Sequence, residues 1–219
     1  MLYFVTEHEN EGGYFKTYNY AVRQALMKQN INFREVALAG LHLNKENLKR
    51  LYRINSRKKD VWLLSYVHNP VIKYISSKPG RKFGHVHGLE ASLFEPAVLG
   101  GHFLNESTVF RFYDGLFVNS EWAREIAVKS YPDIASRIWV SGFPFDSGLL
   151  NRYKDITKQK KLIAFNQRFA LDKMHIVEVY LSELLSKKGY DVIHLCPEND
   201  LKRIMVDKEA RVLFRESQK

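Results

Sequence analysis

The sequence predicts an α/β protein: a Rossmann-like parallel sheet followed by an incomplete second Rossmann-like domain. Two observations carry this. Short apolar runs alternate with helix-period stretches along the whole chain, which is the pattern of parallel β–α units. Several of those runs, such as "VWLLSYV" from Val61 to Val67, are near-continuously apolar, as strands covered on both faces must be.

The expected strands are Leu2–Thr6, Arg34–Leu38, Val61–Val67, Phe83–His87, Gly115–Asn119, Arg137–Ser141, Leu162–Asn166, Asp191–Leu195 and Arg211–Phe214. Between them, Tyr14–Gln29 sets Tyr18, Val22, Leu26 and Gln29 at helical intervals, and Asn44–Asn55 does so with Leu48, Leu51 and Tyr52. Further helices are expected over Glu121–Ser130 and Asp172–Lys188. Ser120 precedes the first of these and suits an N-cap. The stretch Asp146–Lys161, "DSGLLNRYKDITKQKK", is polar and basic and interrupts the pattern, so domains are expected over residues 1–150 and 151–219. About 60 residues with three strands make a small core for a self-sufficient domain.

Composition narrows the classes. With 45% hydrophobic and 26% charged residues in 219, a packed core is expected and disorder is not. The net charge of +10 is shared, with +5 in residues 1–150 (19 Lys/Arg, 14 Asp/Glu) and +5 in residues 151–219 (15 and 10). Such a balance favours anionic partners: nucleotides, nucleic acid, acidic glycans or a membrane surface touched peripherally. One cysteine, Cys196, rules out an intrachain disulfide framework and fits a reducing, cytoplasmic setting. No run reaches the length of a transmembrane helix, and the opening "MLYFVTEHEN" reads as a first strand rather than a leader.

The candidate chemistry sits where strands end, because open parallel sheets bind ligands at the carboxyl ends of their strands. After the first strand, Gly12 and Gly13 let the backbone turn tightly and approach a ligand; a plain turn is the alternative. No G-x-G-x-x-G or P-loop is present. In "FGHVHGLE", His85 and His87 share a strand face before Gly88. They could line a cleft, be satisfied core residues, or supply half a metal site, though no H-E-x-x-H or cysteine set completes one. His68, in "SYVHNP", ends another strand and would face the same crevice. Asn166, Arg168 and Lys173 lie in "FNQRFALDK", where a guanidinium and an ammonium just past a strand could hold a diphosphate. Two stretches are strongly basic. Lys45–Lys59 has seven Lys/Arg and one acid, and Lys73–Lys82 has four and none. They are either a solvated face or a patch for phosphate backbone or anionic lipid.

In order and spacing, these pieces resemble the GT-B glycosyltransferases, in particular the retaining group with two Rossmann-like domains. The Gly-Gly loop, "HVHGLE", the D-x-x-F-V-N-S strand at Asp114–Ser120, the "RIWVSGFPFD" exit and the R-x4-K of Arg168 and Lys173 carry the likeness. The resemblance implies a glycosyltransferase moving a sugar from a nucleotide-diphosphate sugar, without metal or other cofactor. The acceptor would be a glycan, lipid, small molecule or nucleic acid. It assigns the donor diphosphate to Arg168, Lys173, Gly12 and Gly13, and the catalytic strand-end histidine to His87, with His85 second. The late pair of glutamates eight residues apart, which the family uses for sugar and ribose, has no counterpart here, so a truncated or a degenerate enzyme is expected. The competing function is a non-catalytic basic module that binds nucleic acid or other anions.

Overall fold

The computed structural model describes residues 1–7, 14–38, 44–67, 71–89, 106–144, 148, 151–152, 154–157, 159–166 and 175–195. The chain divides into two compact units, Met1–Asn151 and Arg152–Lys219.

In the first unit, β1 (Leu2–Glu7), β2 (Phe33–Leu38), β3 (Val61–Leu64), β4 (Arg81–Val86), β5 (Gly115–Val118) and β6 (Ile138–Val140) form one sheet in the order β2-β1-β3-β4-β5-β6. Every pairing is parallel. The crossovers carry α1 (Tyr14–Lys28), α2 (Lys45–Tyr52), α3 (Ile72–Ser76), α4 (Glu106–Phe110) and α5 (Glu121–Ser130), with a 3-10 turn at Pro132–Arg137. This is the Rossmann-like α/β architecture that the alternating pattern predicts.

Connectivity decides which helix covers which face. The chain steps from β1 outward to β2, then returns across β1 to β3 and continues in that direction. Right-handed crossovers therefore place α1 on one face and α2 to α5 on the other. The buried side chains agree. One cluster joins Tyr3, Val5, Leu64, Val86, Leu116 and Val118 from the strands to Leu51, Ile72, Ile75, Val109, Phe110 and Ala127 from α2 to α5. Phe4, Tyr18, Ala21 and Leu26 are buried outside that cluster. Strand alternation explains the split, since neighbouring residues in β1 point to opposite faces.

Close packing fixes two glycines. A Cβ at Gly84 would lie 2.7 Å from Tyr113 Cε1, and one at Gly115 would run into Trp139 and Phe83. Local caps define two helix starts. Asn44 accepts from the Asn47 N–H at 2.8 Å, and Ser120 accepts from the Ala123 N–H at 3.2 Å, each satisfying an amide that the helix leaves open.

Several boundaries differ from the sequence expectation. The run Val61–Val67 leaves the ladder after Leu64, because Ser65 bends the chain. Val67 stays fully buried without being in the strand. β4 starts two residues earlier than expected and stops at Val86, so His87 stands just past it. α3 and α4 were not expected at all; five residues each are too few to show a helical period. The expected strand Arg211–Phe214 lies outside the described residues.

The second unit contains β7 (Leu162–Asn166) and β8 (Asp191–Leu195), paired in parallel, with α6 (His175–Lys187) between them. The Phe165 and His194 rings stack at 5.2 Å across the pair. The Ser182 hydroxyl meets His194 Nε2 at 2.9 Å and donates to the Glu178 carbonyl at 2.6 Å, tying α6 to β8.

Candidate functional site

The described chemistry of the first unit gathers at the carboxyl edge of the central strands, on the face that α1 covers. Register puts it there. Leu64 pairs with Gly84, so Ser65, one residue on, is level with His85. Val86 pairs with Val118, so His87 is level with Asn119. From α1, Tyr18 reaches this edge. Its ring lies 4.8 Å from the His85 ring and 4.8 Å from the His87 ring, and the two imidazoles are 4.7 Å apart. Tyr66 approaches His87 at 5.7 Å, and Phe143 approaches Tyr18 at 6.4 Å.

The two histidines are not equivalent. His85 is only 2% exposed, and beyond a weak interaction with the Gly142 backbone neither ring nitrogen has a hydrogen-bond partner among the described residues. Burial strips water from its charged form and lowers its pKa to about 4; the backbone of Gly142 opposes the shift without cancelling it. His85 is therefore a neutral imidazole at physiological pH. His87 is half-buried, and its Nε2 bonds the Ser65 carbonyl oxygen. A carbonyl only accepts, so this Nε2 carries a hydrogen. Asn119 Nδ2 donates to the His87 carbonyl at 3.4 Å, holding the turn that follows β4.

Asn19 Oδ1, Ser65 Oγ and Asn119 Oδ1 are buried and have no hydrogen-bond partner among the described residues. Buried polar groups are nearly always paired, so three such residues at the strand edge, His85, Ser65 and Asn119, mark a place that a polar, multiply hydrogen-bonding ligand or ordered water would satisfy. They supply both donors and acceptors at the edge that Tyr18 reaches.

Sequence reasoning placed His85 and His87 at this edge, and the structure brings them together. It did not single out Tyr18 for contact with them, nor Asn19, Ser65 and Asn119. The signal available was a polar residue directly after an apolar run, as in "WLLS" and "LFVN". Gly12, Gly13, His68, Arg168 and Lys173 lie outside the described residues. Asn166 closes β7, paired with Leu195, and its side chain is not among those described. His85 and His87 gather no third metal-type ligand among the described residues.

The two basic stretches also meet. Lys45, Leu48, Lys49, Tyr52 and Arg53 of α2 and its end, with Tyr74 of α3, line a surface groove of about 410 Å³. Among the described residues no helix is long and apolar enough to cross a membrane.

Compared with known proteins, the chain matches no family model and no curated sequence.

Proposed function

We propose that this protein is a glycosyltransferase that uses a nucleotide-diphosphate sugar, with His87 beside the sugar being transferred. The observation that supports this reading is the polar strand edge where His85 and His87 pack on the Tyr18 ring, level with Ser65 and Asn119 of the neighbouring strands. A sugar has the matching chemistry. Its hydroxyls donate and accept along one ring edge, and its C–H face stacks on an aromatic side chain. Buried donors and acceptors that must be paired discriminate strongly in favour of such a ligand. The position agrees with the general rule for ligands of open parallel sheets.

In the reaction, an acceptor hydroxyl oxygen bonds to the anomeric carbon as that carbon's bond to the diphosphate oxygen breaks. The acceptor loses its proton, and the nucleoside diphosphate leaves with the electron pair. His87 keeps its Nε2–H on the Ser65 carbonyl, which fixes the ring beside the sugar. Neutral His85 can pair with a hydroxyl without placing a buried charge there. Arg168 and Lys173 are assigned to the leaving diphosphate on the strength of their spacing in "FNQRFALDK".

The two assignments are tested separately. Calorimetry with UDP-, GDP- and ADP-sugars should show one donor class bound, and the Arg168→Ala/Lys173→Ala double variant should weaken it by roughly tenfold or more, as loss of charge-assisted bonds requires. Unchanged donor affinity in that variant rejects the diphosphate assignment. His87→Ala should abolish sugar transfer while leaving donor affinity within about twofold; full turnover in His87→Ala rejects the role of the strand-end histidine.

A further inference from the structure

The groove between α2 and α3 lies on the sheet face covered by α2 to α5, whereas the histidine niche belongs to the face of α1. We propose that it is a binding site for single-stranded nucleic acid.

Its construction points to that ligand. Lys45, Lys49 and Arg53 follow one another every fourth residue along α2 and past its end, and all three are exposed. At 1.5 Å per residue this sets the cations about 6 Å apart along the axis, close to the advance of one nucleotide in an extended strand. Between them the groove is apolar, with Leu48 and two tyrosine rings. Tyr52 is 77% exposed, a large exposure for an aromatic ring. Bases stack on such platforms whatever their identity, while a row of cations follows the phosphates.

The platform is held in place. Lys78 sends its ammonium to the Ile54 carbonyl at 3.0 Å and the Tyr52 carbonyl at 3.5 Å, which ties the end of α2 to the segment after α3. The same Nζ lies 5.9 Å from the Tyr52 ring centroid and 5.4 Å from that of Tyr74. One cation thus braces both rings. Nearby acids are already engaged. Glu46 pairs with Arg50 at 2.7 Å, and Asp60 accepts from the Arg57 N–H at 2.7 Å. Lys49 and Arg53 therefore keep their charge for a ligand.

A membrane surface fits less well. Among the described residues from 44 to 80, Tyr52 is the sole large apolar side chain that is exposed, and no aliphatic or tryptophan side chain projects beside it. Peripheral insertion needs such a set.

The test is fluorescence anisotropy of the full chain with labelled oligouridylate and oligothymidylate of about twelve nucleotides, within the range of such sites. Binding is expected, falling steeply with salt. Lys49→Ala/Arg53→Ala should weaken it roughly tenfold at about 100 mM salt and flatten the log–log salt slope by about 1.4, the share of two phosphate contacts on a single strand. Tyr52→Ala should also weaken it about tenfold while Tyr52→Phe binds as wild type, because stacking uses the ring and not the hydroxyl. Both sites are exposed, and circular dichroism checks the fold of each variant. Oligonucleotide affinity unchanged in the Lys49/Arg53 and Tyr52→Ala variants overturns the proposal. So does capture by phosphatidylglycerol vesicles or heparin with no oligonucleotide binding.

Discussion

Replacing His85 with phenylalanine tests how the niche is built, because the substitution keeps a ring against Tyr18 and His87 and removes two buried nitrogens that lack good partners among the described residues. In the folded protein burial lowers the His85 pKa from 6.5 to about 4. The sign follows directly. Below pH 6.5 the unfolded chain takes up a proton that the folded protein refuses, so stability is complete above 6.5, falls as pH drops toward 4, and levels off below that. A difference of this size corresponds to ~3 kcal/mol in all, of which ~2 kcal/mol is lost by about pH 5. All three tryptophans, Trp62, Trp122 and Trp139, lie in the first unit, so tryptophan fluorescence during urea unfolding reports that unit alone. Wild type should lose ~2 kcal/mol between about pH 7.5 and pH 5 beyond whatever His85→Phe loses. At the higher pH the variant should be no less stable than wild type, since a buried polar atom without a partner is costly. Parallel loss in both proteins would refute the reasoning. A His85 ring titrating near 6.5 by NMR would do the same.

Three further substitutions probe the frame of the site. Gly115→Ala puts a methyl into Trp139 and Phe83 and should cost ~1–3 kcal/mol of first-unit stability; an unchanged urea midpoint would contradict the packing described. Ser120→Ala removes the cap on the Ala123 amide and should cost about 1 kcal/mol, whereas Ser120→Asp should recover most of it in the same unfolding assay. Arg23→Ala breaks the forked pair to Glu35, whose Nε and Nη2 contacts are 2.7 and 2.8 Å. Both side chains are partly exposed, so about 1 kcal/mol is expected, shrinking as salt is added; a cost that salt leaves untouched would point to packing instead.

The sheet was legible where physics is local or where burial on both faces removes polar residues. β1 and β5 read as apolar runs for that reason, and Ser120 read as a cap because its partner is three residues away. Legibility failed where the cause is tertiary. Val67 continues an apolar run beyond the ladder because it packs on the Gly84 face, so its burial mimics strand membership. A period of two put His85 and His87 on one face, but depth was invisible. His85 is buried and His87 stands at a bend, because β4 pairs with β5 only as far as Val86. Asn19, Ser65 and Asn119 look like ordinary turn-side polar residues in the sequence. Only the fold shows that each is buried with a side-chain oxygen that has no hydrogen-bond partner among the described residues.

The same connectivity accounts for the exposed aromatic layer beside the niche. Stepping back only once, from β2 across β1 to β3, leaves α1 as the sole crossover helix on its face among the described residues. β4, β5 and β6 turn Phe83, Phe117 and Trp139 toward that face, and these rings pack on one another at 6.1, 6.3 and 5.9 Å. Trp139 remains 43% exposed even so. Gly115 is what allows Trp139 to lie down over the sheet, which gives β5 an apolar cover made from a neighbouring strand. His85 sits one level above Phe83 on β4, where this layer meets Tyr18 of α1. Its neutral form follows from that position: rings surround it, and water that would stabilise an imidazolium is displaced by them. The electrostatics of the proposed sugar site are thus a consequence of strand order.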